Sequence, residues 1–178
     1  MLIMGVDPGS LVTGYGVIDA KGSKYRRLIS GVISMRPADT VPVRLRKVYD
    51  GLMEIIDLWH PDEFCIETAF YGKNVQSTLK LGHVRGVALL AAVHRQLAIA
   101  EYSPREVKRA VTGSGAAAKQ QVEYMIKTIL GITEDFARSD EADALALAIC
   151  HAMRMTTPTK RVASWKSFIS EHPERIKR

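Results

Sequence analysis

The sequence predicts an α/β domain in which helices cover both faces of a mixed, five-stranded sheet. Three β-rich segments follow one another near the N-terminus with short links, a pattern that predicts an antiparallel meander. Further along the chain, short apolar strands alternate with amphipathic helices, which predicts parallel crossovers. The 178 residues suffice for one domain with a substantial core and are too few for two large ones.

The meander is predicted from three segments rich in β-branched and other apolar residues. They cover residues 2–6, 14–18 and 27–33, and Lys21-Gly22-Ser23 supplies turn residues between the second and the third. The first segment ends at Asp7-Pro8-Gly9, which is typical of a chain leaving a strand.

Over residues 43–59 the apolar residues recur at three- and four-residue spacing, which predicts an amphipathic helix. A fourth strand at residues 63–67 contains Phe64-Cys65-Ile66 and is expected to be buried on both faces. The remaining predicted elements are a helix at 75–97, a strand at 98–102 and helices at 105–111, 117–130 and 140–153.

Positive charge is concentrated at the C-terminal end of the chain. The net charge is +6, and residues 154–178 hold seven Lys or Arg against two Glu, whereas residues 1–153 are nearly neutral. We therefore expect one folded domain over residues 1–155 and a basic tail over residues 156–178. A basic balance favours a polyanionic partner such as nucleic acid.

The sequence shows no pattern typical of a membrane span or a secretory signal, so no membrane partner is expected. Its two cysteines, Cys65 and Cys150, lie inside apolar segments, which is typical of buried thiols in a reducing compartment. The expected location is therefore the cytoplasm.

Four carboxylates, Asp7, Glu67, Asp140 and Asp143, stand at the ends of apolar segments. A charge at the edge of a core is costly unless it is paired or bound to a cation. If the fourth strand pairs with the first, Asp7 and Glu67 project from neighbouring strand ends about 5 Å apart. Asp140 and Asp143 are three residues apart and share one face of a helix, with Glu141 outside it.

Each of these acids also has a structural interpretation. Asp7 before Pro-Gly suits a turn, Glu67 suits exposure to solvent, and Asp140 in a first helical turn suits capping. A close cluster would repel by up to ~4 kcal/mol per pair at about 4 Å and an effective dielectric of about 20, unless cations neutralise it. Hard oxygen ligands favour Mg²⁺ or Mn²⁺ over zinc, and two such ions can hydrolyse a phosphodiester bond by in-line displacement.

The sequence resembles the RuvC family of Holliday-junction resolvases in motifs that keep their order over about residues 2–153. The matching segments are Gly5-Val6-Asp7-Pro8-Gly9, Thr13-Gly14-Tyr15-Gly16, Ile66-Glu67, Phe70, Lys73-Asn74, Lys80-Leu81-Gly82, Arg85-Gly86, Val107-Lys108, Gly113, Gly115, Lys119, Val122 and Asp140-Glu141-Ala142-Asp143-Ala144-Leu145-Ala146. The resemblance implies an RNase H-like fold, a homodimer, and paired symmetric nicks in a four-way DNA junction during recombination and repair.

The resemblance also places the family's four catalytic acids on Asp7, Glu67, Asp140 and Asp143. It implies Mg²⁺ as the cofactor, and we expect Mn²⁺ to substitute for it and two ions to bind at each site. It further implies cooperation with the RuvA–RuvB branch-migration machinery. The tail lies outside the shared motifs, so nothing is carried over to it.

Residues that contact DNA are expected after the fourth strand and on either side of the Gly113-Ser114-Gly115 loop. Phe70 and Tyr71 follow Glu67; either ring can pack into the core or wedge against unstacked bases, and the resemblance favours Phe70 for the wedge. The basic and polar candidates are Lys73, Asn74, Lys80, Arg85, Lys108 and Lys119. Lys119 near a helix start is disfavoured by the helix dipole, which suggests that a phosphate offsets this cost.

Three other functions stay open on the sequence alone. One is another RNase H-like nuclease. The second is an actin-like or sugar-kinase nucleotide-binding domain, because Asp7-Pro8-Gly9 with Gly14 and Gly16 resembles the phosphate loop of those enzymes, although they need two such domains. The third is a junction-binding module without catalysis, against which the presence of all four acids argues.

The dimer face is expected on the apolar part of the predicted helix around residues 84–97. Its apolar stripe contains Val87, Leu90, Ala91 and His94. The same stripe would serve equally well as ordinary core.

Overall fold

The structure, a computed structural model, describes residues 1–68 and 75–156. Its strands are β1 (Leu2–Asp7), β2 (Val12–Lys21), β3 (Lys24–Ser34), β4 (Glu63–Glu67) and β5 (Ala98–Tyr102). Its helices are α1 (Val41–Trp59), α2 (Val75–His94), α3 (Pro104–Thr112), α4 (Lys119–Leu130) and α5 (Ser139–Thr156). The predicted order of elements is confirmed, and the predicted tail lies beyond the described residues.

The sheet has the mixed pairing that the sequence predicts. Its strand order is β3-β2-β1-β4-β5, with antiparallel pairs β3–β2 and β2–β1 and parallel pairs β1–β4 and β4–β5. The antiparallel half is a meander of consecutive strands, whereas the parallel half is reached through helices. Because the parallel strands run in one direction, β1, β4 and β5 all end at the same edge of the sheet.

Side chains of the central strands alternate between two layers of core. On β1, Ile3 packs under α3, α4 and α5, whereas Met4 packs under α1 and α2. On β4, Cys65 belongs to the first layer, and Phe64 and Ile66 belong to the second. All three β4 side chains are fully buried, which confirms that this strand is covered on both faces.

α5 lies close against the sheet because the strands beneath it carry glycine. A Cβ atom added to Gly5 would lie 2.1 Å from the backbone oxygen of Ala144, and one added to Gly16 would lie 2.6 Å from Cδ2 of Leu145. At Gly5 the clash is with the backbone, so a side chain there would force the helix to shift, whereas at Gly16 it would displace the Leu145 side chain. The glycines therefore set the distance between α5 and the sheet, and residues 144–150 of α5 are buried as a result.

Several boundaries differ from the prediction. β2 and β3 are longer than predicted, because polar residues on both sides of the Gly22 turn continue the hairpin pairing. α2 ends at His94 rather than at residue 97. The helix stops there because Gln96 takes a φ of 56° and the Leu97 N–H bonds back to the Ala92 oxygen at 3.1 Å.

The apolar stripe of α2 is divided between core and surface. Ala91 is fully buried beside α1. This residue therefore belongs to the core and not to an exposed dimer face, which were the two alternatives that the sequence left open. Leu90 and Val93 are 47% and 57% exposed. Tyr49 of α1 contacts the His94 Nδ1 atom at 2.5 Å. The exposed apolar face of α2 therefore centres on Leu90 and Val93.

No helix within the described ranges is both long and apolar enough to cross a membrane.

Candidate active site

The ends of β1 and β4 bring two of the predicted acids side by side. Asp7 is the last residue of β1 and Glu67 the last of β4. The residues before them, Val6 and Ile66, are direct partners in the parallel register, which confirms the predicted pairing of these strands. With the two-residue period of a strand, Asp7 shares its face with Gly5 and so points towards α5.

The first turn of α5 lies over the same edge. A Cβ atom on Gly14, which pairs with Asp7 in the antiparallel register, would lie 1.9 Å from the backbone oxygen of Asp140. Because only glycine permits this approach, the start of α5 comes to rest beside Asp7. Glu141 points elsewhere: it is 8% exposed and accepts a hydrogen bond from Ser30 Oγ at 2.7 Å, as expected for an acid outside the cluster.

A pocket of about 220 Å³ opens at this edge. Its charged lining residues are Asp7, Glu67, Asp143, Lys108 and Lys119, and its apolar wall is formed by Pro104, Val107, Val122, Ala146 and Leu147. Asp140 is not part of the lining, but its charge acts on both Asp7 and Lys119. The structure thus brings three of the four predicted acids and two of the predicted lysines into one pocket, with Asp140 close by.

Asp7 has the most perturbed environment in the pocket. Burial, together with the charges of Glu67, Asp143 and Asp140, raises its pKa to about 8, against the opposing charge of Lys119. The pKa of Glu67 is also raised, by burial and by Asp143, although a hydrogen bond with Asp7 acts in the other direction. These surroundings therefore favour the protonated form of the Asp7 carboxyl, which shares a hydrogen bond with Glu67.

Lys119 is the basic residue in direct contact with the acids. Its Nζ atom lies 2.7 Å from Oδ2 of Asp143. Burial acts to lower the pKa of Lys119, but the bond to Asp143 and the charges of Asp143, Asp140 and Asp7 outweigh it, so this pKa is raised. Lys119 is the first residue of α4, where the helix dipole disfavours a cation. In the structure, the ion pair with Asp143 offsets this cost. The sequence analysis had assigned this role to a phosphate.

The donor set fits a hard divalent cation. The four acids Asp7, Glu67, Asp140 and Asp143 offer only carboxylate oxygens, the ligands that Mg²⁺ and Mn²⁺ prefer. A divalent ion would also relieve the repulsion that contributes to the raised pKa of Asp7. Among residues 1–68 and 75–156, however, no three such groups already stand close enough together to form a metal site. Binding would therefore require Asp7 to lose its proton and Asp143 to separate from Lys119.

The other predicted DNA-binding residues are more widely spread. The Nε atom of Arg85 donates to the backbone oxygen of Glu67 at 3.1 Å, and its guanidinium pairs with Glu101, so in the structure it supports the end of β4. Lys80 lines a separate depression on the α1–α2 side of the sheet. Four further candidates lie outside the described residues, namely Phe70, Tyr71, Lys73 and Asn74.

The start of α3 is a part of the pocket that the sequence analysis missed. Ser103 Oγ accepts a hydrogen bond from the Glu106 N–H at 3.3 Å, and the Glu106 carboxylate accepts one from the Ser103 N–H at 2.9 Å. The bonds from Ser103 contribute most to lowering the pKa of Glu106 to about 2. This capping box holds Pro104 and Val107 in the pocket wall. The Ser-x-x-Glu spacing is the sequence signal that would have revealed it.

Comparisons with known proteins agree with this geometry. The family model described as crossover junction endodeoxyribonuclease RuvC matches residues 3–151. The chain is 44% identical over 177 residues to the crossover junction endodeoxyribonuclease RuvC of Salinibacter ruber, with 99% of each chain covered. It is 45% identical over 157 residues to the protein of the same name from Desulforamulus reducens, with 88% of this chain and 96% of the relative covered.

Solved structures give the same result for the fold. The chain is similar to RuvC of T. thermophilus in complex with a Holliday junction substrate, with a TM-score of 0.84 and 32% sequence identity. The match covers 88% of this chain and 95% of that one.

Proposed function

The chain belongs to the RuvC family of crossover junction endodeoxyribonucleases, and we propose that it cuts four-way DNA junctions at the pocket lined by Asp7, Glu67 and Asp143. It is an RNase H-like endonuclease of the Holliday-junction resolvase type. One observation supports the assignment of the site above all others. Carboxylates from three separate segments meet at one edge of the sheet, in surroundings that raise the pKa of Asp7 to about 8.

Enzymes of this family depend on metal ions, and we propose that this chain uses Mg²⁺, with Mn²⁺ able to replace it. Two ions are proposed at each site, held by Asp7, Glu67, Asp140 and Asp143. Bound there, such ions activate a water molecule and stabilise the leaving oxygen of an in-line displacement. The chain's own part is to hold the acids on β1, β4 and α5, elements that are fixed to one another through the core.

Lys108 and Lys119 are proposed to hold the scissile phosphate. Both line the pocket beside the acids, on α3 and α4. Asp143 would hold a metal ion in place of its pairing with Lys119, and Lys119 would then be able to pair with a phosphate oxygen. Phe70 is proposed to wedge against unstacked bases, with Tyr71, Lys73 and Asn74 in the same segment contacting the strand, an assignment that rests on the sequence alone.

A homodimer is proposed because a junction offers two equivalent strands, which a two-fold pair of sites would match. The exposed face of α2 with Leu90 and Val93 is the surface that we propose for it. Next to Leu90, Leu45 and Val87 line a further apolar depression between α1 and α2. Cooperation with RuvA–RuvB is proposed from the family resemblance.

Cleavage of a synthetic four-way junction tests the proposed function. The full-length protein is incubated with the junction in Mg²⁺ or in EDTA, and nicks are mapped on each of the strands. Nicks at symmetric positions on one opposing pair of strands, dependent on Mg²⁺, are the expected result. A linear duplex and an RNA–DNA hybrid of the same sequence serve as controls, and equally fast cutting of the hybrid would identify another RNase H-like nuclease.

A further inference from the structure

A second basic site lies on the same edge of the sheet as the acids, but on its opposite face. Ser10, Arg44 and Lys80 line a small depression between the loop after β1 and helices α1 and α2. Ser10 follows Asp7 by three residues, so their Cα atoms are at most about 11 Å apart. Asp7 points to the α5 side of the sheet, whereas Val41, Leu45 and Val84 form the apolar floor of the depression on the α1–α2 side.

The positive charge of Arg44 is oriented but not neutralised. Its Nε atom donates to the backbone oxygen of Asp39 at 2.9 Å, and its Nη2 atom donates to the backbone oxygen of Pro37 at 2.5 Å. The nearby carboxylate of Asp39 is taken by another group, Nζ of Lys47, at 2.7 Å. These bonds fix the position of the guanidinium, and within residues 1–68 and 75–156 no carboxylate pairs with it.

Lys80 adds a second uncompensated charge. It is exposed on α2, and no ion pair to it occurs among the residues that the structure describes. Two cations and the Ser10 hydroxyl thus converge from three different elements. The apolar floor reduces screening by water, so an anion here is attracted more strongly than over an open surface. The described part of the chain contributes no carboxylate to the lining.

The size of the depression limits what it binds. Its volume is about 20 Å³, far below the ~300–1,000 Å³ of a typical small-molecule site. It therefore suits one charged group of a longer molecule that lies across the surface. A planar guanidinium, an ammonium and a hydroxyl are donors that bind a phosphate group.

We propose that Ser10, Arg44 and Lys80 form a subsite for a backbone phosphate of the DNA strand that is cut, within a few nucleotides of the scissile phosphate. The reach of at most about 11 Å between Asp7 and Ser10 keeps the two sites within a few nucleotides of each other. A strand held at both places would cross the sheet edge over the loop after β1. This inference rests on the proposed function, because it takes the pocket with Asp7 as the site of cleavage.

The salt dependence of junction binding tests the subsite. Affinity of the full-length protein is measured in EDTA, so that no cleavage occurs, over a range of KCl concentrations. Each lost phosphate contact should reduce the slope of log K against log salt by about 0.7–0.9. Lys80→Gln and Arg44→Gln should each show this reduction. Arg44→Lys, which keeps the charge, should retain the slope of the wild type.

Lys24→Gln is the matched control. Lys24 lies at the β2–β3 turn, at the far end of the hairpin from Gly14, roughly 24 Å away at ~3.4 Å per residue. This variant should bind with an unchanged slope. Equal slopes for Lys80→Gln and the wild type would overturn the proposal, as would an equal loss for Lys24→Gln. A loss with Arg44→Lys as large as with Arg44→Gln would show that Arg44 acts only through the backbone of the turn.

Neutral phosphate analogues locate the contact. Methylphosphonate is placed at one position at a time along the cleaved strand, and binding is compared for the wild type and Lys80→Gln. At one position, within a few nucleotides of the cut, the two changes should be non-additive, because both remove the same contact. Additive losses at every position would contradict the proposal. If the wild-type protein itself does not bind or cut the junction, the proposed function fails; if it does, only the subsite is in question.

Discussion

Asp7 stands in an environment that favours a bound cation or a proton. It ends a buried strand, and the carboxylates of Glu67, Asp143 and Asp140 all act to keep its proton in place. Lys119 is the opposing positive charge, and it is already paired with Asp143. Because of these neighbours, the protonation of Asp7 should affect both the binding of a metal ion and the stability of the fold, and both should therefore depend on pH.

Asp7→Asn should abolish cleavage and at the same time stabilise the metal-free protein. Cleavage should fall by about 10³-fold or more, whereas junction binding should persist, since the phosphate contacts are made elsewhere. Denaturation in EDTA should show a gain of roughly 1–3 kcal/mol at pH 8, because the amide avoids the cost of burying a charge.

The stabilisation by Asp7→Asn should depend on pH. The folded-state pKa of about 8 lies above the unfolded value of 3.8, so the wild type binds more protons when folded and loses stability as the pH rises between these two values. The gain from the substitution should therefore be smaller at pH 5 than at pH 8. A loss of stability at pH 8, or a loss of junction binding, would mean that Asp7 is chiefly a structural turn residue.

Lys119→Met should destabilise the protein in EDTA but much less in Mg²⁺. The ammonium group pairs with Asp143 at 2.7 Å and opposes the repulsion among the acids, a task that a divalent ion would take over. We expect a loss on the order of 1 kcal/mol in EDTA, measured by thermal denaturation.

Lys21→Met is the control for this measurement. Lys21 is 77% exposed and pairs with Asp19 at the opposite end of the sheet, so its effect should not depend on Mg²⁺. The account would be wrong if Mg²⁺ left the effect of Lys119→Met as large as it is in EDTA.

At the scale of elements, the decisive feature is the close approach of α5 to the meander. Gly5, Gly14 and Gly16 each face α5 at distances that no Cβ atom could occupy. The helix therefore carries Asp140 and Asp143 to the strand ends only because these positions lack side chains. This packing links the glycine pattern of β1 and β2 directly to the position of the acids.

Gly14→Ala should lower both stability and cleavage. Its Cβ atom would lie 1.9 Å from the backbone oxygen of Asp140, so the start of α5 must move away from Asp7. We expect a loss of about 1–3 kcal/mol on chemical denaturation, with slower cleavage even in saturating Mg²⁺.

Gly82→Ala is the matched control for stability. Gly82 is an exposed glycine within α2 with no atom within 4 Å of the added Cβ, and alanine there should stabilise the protein by about 0.5–1 kcal/mol. Similar stability changes in Gly14→Ala and Gly82→Ala would contradict the role given to the close approach of α5.

The sequence predicts those parts of the site that depend on strand order. The places of Asp7 and Glu67 follow from a meander followed by a crossover, because that topology makes β1 and β4 neighbours. The contact between Lys119 and Asp143 could not be predicted, since it depends on how α4 packs beside α5. The helix end at His94 escaped prediction for a similar reason, because the left-handed residue that follows it is a glutamine rather than a glycine.

At the scale of the whole molecule, the charged residues of both proposed DNA-binding sites lie at one edge of the sheet. The acids and two lysines open on the α5 side of this edge, and the depression with Arg44 and Lys80 opens on the other. The exposed apolar residues Leu90 and Val93 lie on α2, which is separated from the acids by the sheet. The surface proposed for self-association therefore lies on the opposite side of the sheet from the acids.

The double substitution Leu90→Glu and Val93→Glu should convert the proposed dimer into a monomer. Both residues are about half exposed, so the charges should leave the fold intact while making the paired surface repulsive. Analytical ultracentrifugation should show half the mass of the wild type, and nicks on opposing strands should lose their pairing. Leu58→Glu, at a residue 70% exposed on α1, is the control and should remain dimeric. A dimer that survives the double substitution would place the interface elsewhere.

Mn²⁺ binding, followed by electron paramagnetic resonance, tests most directly whether the four acids close around metal ions. The wild type is compared with Asp7→Asn, Glu67→Gln, Asp140→Asn and Asp143→Asn. Glu141→Gln is the control, because Glu141 bonds to Ser30 outside the cluster. We predict that each of the four variants binds Mn²⁺ at least about tenfold more weakly, and that the control binds it as the wild type does. Undiminished Mn²⁺ binding by Asp140→Asn or Glu67→Gln would contradict the account.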